Sequence, residues 1–218
     1  MTVPGRREAA RLLLSLEPPA WFLRHACAVA DVAAWLAARA AARGVAVDRR
    51  AGETAALLHD VDKLASAGAD ARLPHGEGSA AWLESHGLPE LAPLVRHHPV
   101  TCLADDALAA RLATAPLEAR LVAYADKRAG QRLESMDTRF ASWRRRYPTG
   151  PGEHIRRGAG GPTGAGWDDT VAALVDARAH DLEREVCALA GTAPEAVARL
   201  RWSQRALREA AVAARSAR

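Results

Sequence analysis

Lysine, methionine, cysteine and aromatic residues are all scarce in this 218-residue chain. There are 2 Met, 2 Phe, 2 Tyr and 6 Trp, so a core must be built mainly from Leu, Val and Ala. Such small side chains suit closely packed helices. The only lysines are Lys63 and Lys127, and the remaining positive charge is arginine. A net charge of +4 favours an anionic partner over a cationic one, although an Arg/Ala-rich composition does not by itself mark a binding surface. Cys27, Cys102 and Cys187 are widely spaced and form no CxxC pair, which excludes a disulfide scaffold and a zinc ribbon and fits a reducing compartment. No apolar run approaches the roughly 18 residues of a membrane span. The opening "RLLLSL" is cut short by Glu17-Pro18-Pro19, unlike a signal peptide. The chain therefore reads as soluble and cytoplasmic, with no membrane partner.

Alternation rich in Val, Ile and aromatic residues is also missing, whereas helical periodicity recurs. Residues 20–43 place Phe22, Cys27, Val29, Val32, Trp35 and Leu36 near a 3.6-residue period, with Gly44 as the stop. Asp48 caps a predicted helix reaching about His59. Further helices are expected at 78–86, from Pro89 to His97-His98, at 103–113 and at 116–136. Seven glycines and three prolines within 148–166 predict a flexible loop. Beyond it, Asp168 caps a helix to about Ala190, and "TAPE" at 192–195 opens a terminal one. The expected architecture is all-α: a main helical domain at 1–147, the loop at 148–166 and a C-terminal helical pair at 167–218.

Histidines and carboxylates punctuate these helices in a suggestive order. His25 lies in the first long helix, His59-Asp60 ends the next, His75 precedes a third, His97-His98 ends a fourth, and Asp126 lies within "AYADKRAG". Imidazole with carboxylate suits divalent first-row metals, whereas thiolate-rich sets suit structural zinc. One ligand from each of several helices leaves coordination positions open to water and substrate.

On His25, His59-Asp60 in "LLHDVDKL" and Asp126, the sequence resembles the HD superfamily of metal-dependent phosphohydrolases over roughly residues 20–135. The resemblance implies an HD-domain-like helical bundle with a C-terminal helical extension. It implies that His25, His59, Asp60 and Asp126 hold one divalent metal and that Asp60 can bridge to a second. Two further histidines complete a binuclear set: His75, and His98 rather than His97, because Leu91, Leu94, Val95 and His98 share a helical face. The ligands do not distinguish Mn, Fe, Co, Ni, Mg or Zn, nor one ion from two.

The implied activity is hydrolysis of a small phosphorylated substrate, a nucleotide being the leading expectation. Asp60 and Lys63 are the expected catalytic residues, with Lys127 and Arg128 binding substrate phosphate. The stretch 137–148, with Arg139, Arg144, Arg145 and Arg146 among Phe140, Trp143 and Tyr147, offers either a substrate lid or a solvated helix face over a core edge. Two rival uses of the same residues are a di-iron oxygenase and a non-catalytic ligand sensor. Nucleic-acid binding through the Arg-rich tail is the weakest reading, and a homo-oligomer is compatible with the sequence.

Overall fold

The computed structural model describes residues 3–64, 73–130, 133–146 and 167–200. Among them the regular structure is helical, with a single isolated bridge pairing Ala129 with Leu133. Ten α-helices run in order as α1 Arg6–Leu14, α2 Ala20–Ala42, α3 Arg49–Leu58, α4 Glu77–Ser85, α5 Ala92–Val95, α6 Asp106–Ala113, α7 Leu117–Arg128, α8 Met136–Arg146, α9 Asp169–Ala190 and α10 Pro194–Ala198. Short 3-10 turns lie at Val61–Lys63 and Val100–Ala104. No described helix is long and apolar enough to cross a membrane.

Helix ends follow local chemistry. Asp48 accepts a hydrogen bond from the amide of Ala51 at 2.9 Å, satisfying one of the donors that the first turn of α3 leaves open. Asp105 and Asp168 cap α6 and α9 in the same way, through the amides of Leu108 at 2.9 Å and Val171 at 2.7 Å. Gly191, with φ +58°, closes α9 in the left-handed conformation that glycine adopts without steric cost.

Helices α2, α3 and α7 pack against one another, and α9 packs on α2 and α7. Ala26, Ala30, Ala33, Ala37 and Ala40 are buried at three- and four-residue intervals along α2, so partner backbones can approach closely. On α9, Ala172, Val175, Ala179, Leu182, Val186 and Ala190 form a buried stripe of the same period. Burying a Val or Leu stabilises by about 1.5–3 kcal/mol, so this stripe ties α9 firmly to the helices that precede it. Helix α1 packs on α3, and Arg6 joins the two regions by pairing with Asp31 and Glu53, each at 2.7 Å.

Four sequence expectations need adjustment. The helix anticipated from Pro89 to His97-His98 is confined to α5, Ala92–Val95, with turns on either side. The helix anticipated at 116–136 stops at Arg128, because Ala129 turns extended (φ −104°, ψ 112°). The Glu134 amide then returns to the Arg128 carbonyl at 2.9 Å, and α8 begins at Met136. The segment 103–113 is divided, a 3-10 turn giving way to α6 at the Asp105 cap. "RLLLSL", read only as too short for a signal peptide, contributes to the amphipathic α1, which buries Ala9 and Leu13. The anticipated loop at 148–166 and the terminal helix beyond Leu200 fall outside the described residues.

Candidate metal centre

Four helix-borne elements and one loop bring their polar residues to a single point. His25 comes from the second turn of α2, His59-Asp60 from the C-terminal end of α3, His98 from just after α5 and Asp126 from α7. His75 lies immediately before α4. Leu57 and Leu58 are buried one step ahead of the doublet and pin α3 into the core, so the backbone that presents His59 and Asp60 is held.

The two oxygens of Asp60 face different partners. Oδ2 lies 3.2 Å from His25 Nε2 and 3.5 Å from His59 Nε2. Asp126 Oδ1 closes that group at 3.3 Å from His25 Nε2 and 3.6 Å from His59 Nε2. Oδ1 of Asp60 lies 3.1 Å from His75 Nε2 and 3.3 Å from His98 Nε2. The paired imidazole nitrogens are equally close: His25 and His59 at 3.1 Å, His75 and His98 at 3.2 Å. Ligand atoms about 2.1 Å from one metal stand roughly 3.0–3.4 Å apart, so both groups have coordination spacing. The donor set fits a divalent ion.

Three of the imidazoles are oriented from behind. The Nδ1 of His59 lies 2.8 Å from the Ala56 carbonyl, and that of His98 lies 2.6 Å from the Val95 carbonyl. A ring that donates Nδ1–H in this way directs the Nε2 lone pair into the cluster. His75 makes the equivalent contact with the carboxylate of Asp62, at 2.8 Å.

Without a metal the carboxylates attract protons onto the surrounding rings. Burial opposes charge on His25, but hydrogen bonds to Asp126 and Asp60 and their charges prevail and raise it to about 9. His75 rises to about 9 in the same manner, against its burial, through Asp60 and Asp62. In His98 burial dominates and holds it down to about 4. Asp60 and Asp126 are also buried, yet the neighbouring His and Lys charges and hydrogen bonds keep both well below the usual carboxylate range.

A pH dependence follows for the metal-free protein. Because folding raises the pKa values of His25 and His75 from 6.5 to about 9, their stabilising contribution is complete below 6.5 and is lost as pH rises through 9. The urea midpoint of metal-free protein should therefore fall across this window. A midpoint that climbed over the same range would contradict the proton assignment. Metal must displace these protons, so its affinity should rise over the same interval.

The remaining expected site residues divide. Lys63 Nζ contacts Asp60 Oδ2 at 2.6 Å, with 39% of its side chain exposed, and so stands at the open side of the cluster. His97 lies outside the convergent group, whereas His98 is inside it. Lys127 and Arg128 do not face it as phosphate-binding groups. Lys127 is fully buried, and its ammonium donates to the carbonyls of His98 (2.8 Å) and Ala123 (3.2 Å). Arg128 is buried on the Glu183 carboxylate, the Tyr124 hydroxyl and the carbonyls of Glu134 and Pro194. Successive residues on a helix turn by about 100°, so neighbours of an inward-facing Asp126 point elsewhere. In the Arg-aromatic stretch, Phe140 and Trp143 are core residues while Arg144 and Arg145 face solvent. Tyr147 and Pro148 lie outside the described residues.

Sequence reasoning missed Asp62. The only signal available was a second acid within "HDVDK", whose partner His75 is 13 residues away.

A family model described as HD domain matches residues 22–130, half of the chain and the whole span from α2 to the end of α7. No curated protein and no solved structure matches.

Proposed function

The chain belongs to the HD domain family, and from that premise we propose that it is a metal-dependent phosphohydrolase acting on a nucleotide or another small phosphate ester. The observation that carries this reading is the division of Asp60 between two ligand groups. His25, His59, Asp126 and Asp60 Oδ2 would hold one ion, and His75, His98 and Asp60 Oδ1 a second. Divalent ions held there supply hydroxide at neutral pH and neutralise charge on a phosphoryl oxygen.

The chain's own residues supply the rest. Asp60 fixes the relation between the two positions, and the back-bonded histidines keep their Nε2 atoms aimed without reorganisation. Lys63, half-exposed beside Asp60, is placed to hold a phosphate oxygen or to pass a proton to the leaving oxygen. It is the remaining lysine of the chain once Lys127 is committed to the core.

The test is a panel of phosphomonoesters, cyclic and linear dinucleotides and nucleoside polyphosphates, incubated with protein reconstituted in Mn, Co, Fe, Ni or Mg. Phosphate or nucleotide product should form with at least one metal and cease on chelation. Oxygen consumption by an iron-loaded protein, without phosphate release from any compound, would replace this reading with the oxygenase.

A further inference from the structure

We propose that Asp62 is the positioning residue for the second metal, acting through His75; the inference rests on the binuclear reading above. Asp62 lies in the 3-10 turn that follows the His-Asp doublet. With three residues per turn, Asp60 and Lys63 fall on one side and Asp62 faces another way. There its Oδ2 receives hydrogen bonds from His75 Nδ1 at 2.8 Å and from the Gly76 amide at 3.1 Å.

The segment His75-Gly76-Glu77-Gly78 is shaped around that carboxylate. Gly76 has φ +88°, and a Cβ there would stand 2.5 Å from the Arg96 carbonyl oxygen. A Cβ on Gly78 would stand 3.0 Å from the Asp62 Cβ. Both glycines permit a backbone approach that larger residues would obstruct, and Gly76 aims its amide at Asp62 in consequence.

His75 is oriented differently from its counterparts. His59 and His98 take their Nδ1 contacts from carbonyls three residues earlier in their own chain segments, Ala56 and Val95. His75 precedes α4, and its Nδ1 contact is made with a side chain instead. Its orientation comes from the side chain of Asp62, which places Nε2 3.1 Å from Asp60 Oδ1 and 3.2 Å from His98 Nε2. The other Asp62 oxygen, Oδ1, is buried and finds no hydrogen-bond partner among the described residues. A partly buried acid is costly to retain, and His75 with Gly76 supplies the hydrogen bonds that hold this one.

Calorimetric titration with Co(II) of wild type, Asp62→Asn, His75→Ala and the double variant tests this. Wild type should take two ions, and Asp62→Asn should weaken by about 10–100-fold the ion that His75→Ala also weakens, leaving the other within about twofold. In the His75→Ala background Asp62→Asn should have no further effect, because its action runs through that ring. Two unaltered sites in Asp62→Asn, equal weakening of both, or a full effect without His75 would each overturn the inference alone. A single ion in wild type, unaffected by His75→Ala, would overturn the binuclear reading and this inference with it. Circular dichroism reports folding, and Asp62→Ser removes the carboxylate without added bulk if the Asn variant does not fold.

Discussion

Asp60→Ala is expected to abolish metal retention and to lower hydrolytic turnover by about 10³-fold or more, the scale at which a preorganised electrostatic group acts. Asp60 is 1% exposed and contacts four imidazoles and the Lys63 ammonium. Its carboxylate offers one oxygen to each ligand group. Alanine takes from His25 and His75 one of the two carboxylates that draw protons to each, leaving Asp126 and Asp62, and leaves the ligand groups unconnected. Asp60→Asn separates charge from shape. An amide keeps one carbonyl oxygen in place of two carboxylate oxygens, so it can serve only one group. Elemental analysis should find close to one metal per chain in Asp60→Asn and close to none in Asp60→Ala. Two metals and near-normal turnover in both variants would remove Asp60 from the centre.

The second large effect concerns stability rather than chemistry. Arg128→Ala should destabilise the fold by about 3–5 kcal/mol, because it leaves the buried Glu183 carboxylate without its cation. Tyr124 loses its guanidinium partner, and the carbonyls of Glu134 and Pro194 lose their donors. In a chain of this length that corresponds to a melting temperature lower by roughly 10 °C or more. Turnover per folded molecule at low temperature should stay within a few-fold of wild type. Replacing the pair together, Arg128→Met with Glu183→Leu, should recover much of the loss, since two apolar groups need no mutual compensation. Unchanged urea stability together with a tenfold higher KM for the phosphate substrate would return Arg128 to the role its position beside Asp126 first suggests.

That contrast shows where the sequence is legible. The ligands are readable because each is a His or Asp at or near the end of an amphipathic segment, and helix periodicity alone selects His98 over His97. The same periodicity, applied to Lys127 and Arg128, turns them away from Asp126 and into contact with the segments carrying His98 and Glu183. What pulls them inward is not local. Two partners of Arg128, Glu183 on α9 and Pro194 on α10, lie 55 and 66 residues further along the chain. Asp62 is hidden for a related reason: its meaning depends on a turn geometry and on a loop histidine, neither of which a linear pattern displays. The break after Arg128 has a local cause of another kind: no proline announces it, and the reversal is held by bonds between Arg128 and Glu134. Helix α9, by contrast, follows directly from the Asp168 cap, its apolar period and Gly191.

The central claim is that water activated at the Asp60 centre is added to phosphorus. Turnover of the best substrate from the panel in ¹⁸O-labelled water, with the released phosphate analysed by mass spectrometry, tests it most directly. The expected result is one ¹⁸O atom in each phosphoryl product under single-turnover conditions, in the metal-loaded protein and not after chelation. Label-free phosphate product, or oxygen atoms derived from dissolved O₂ appearing in an oxidised product, would contradict it.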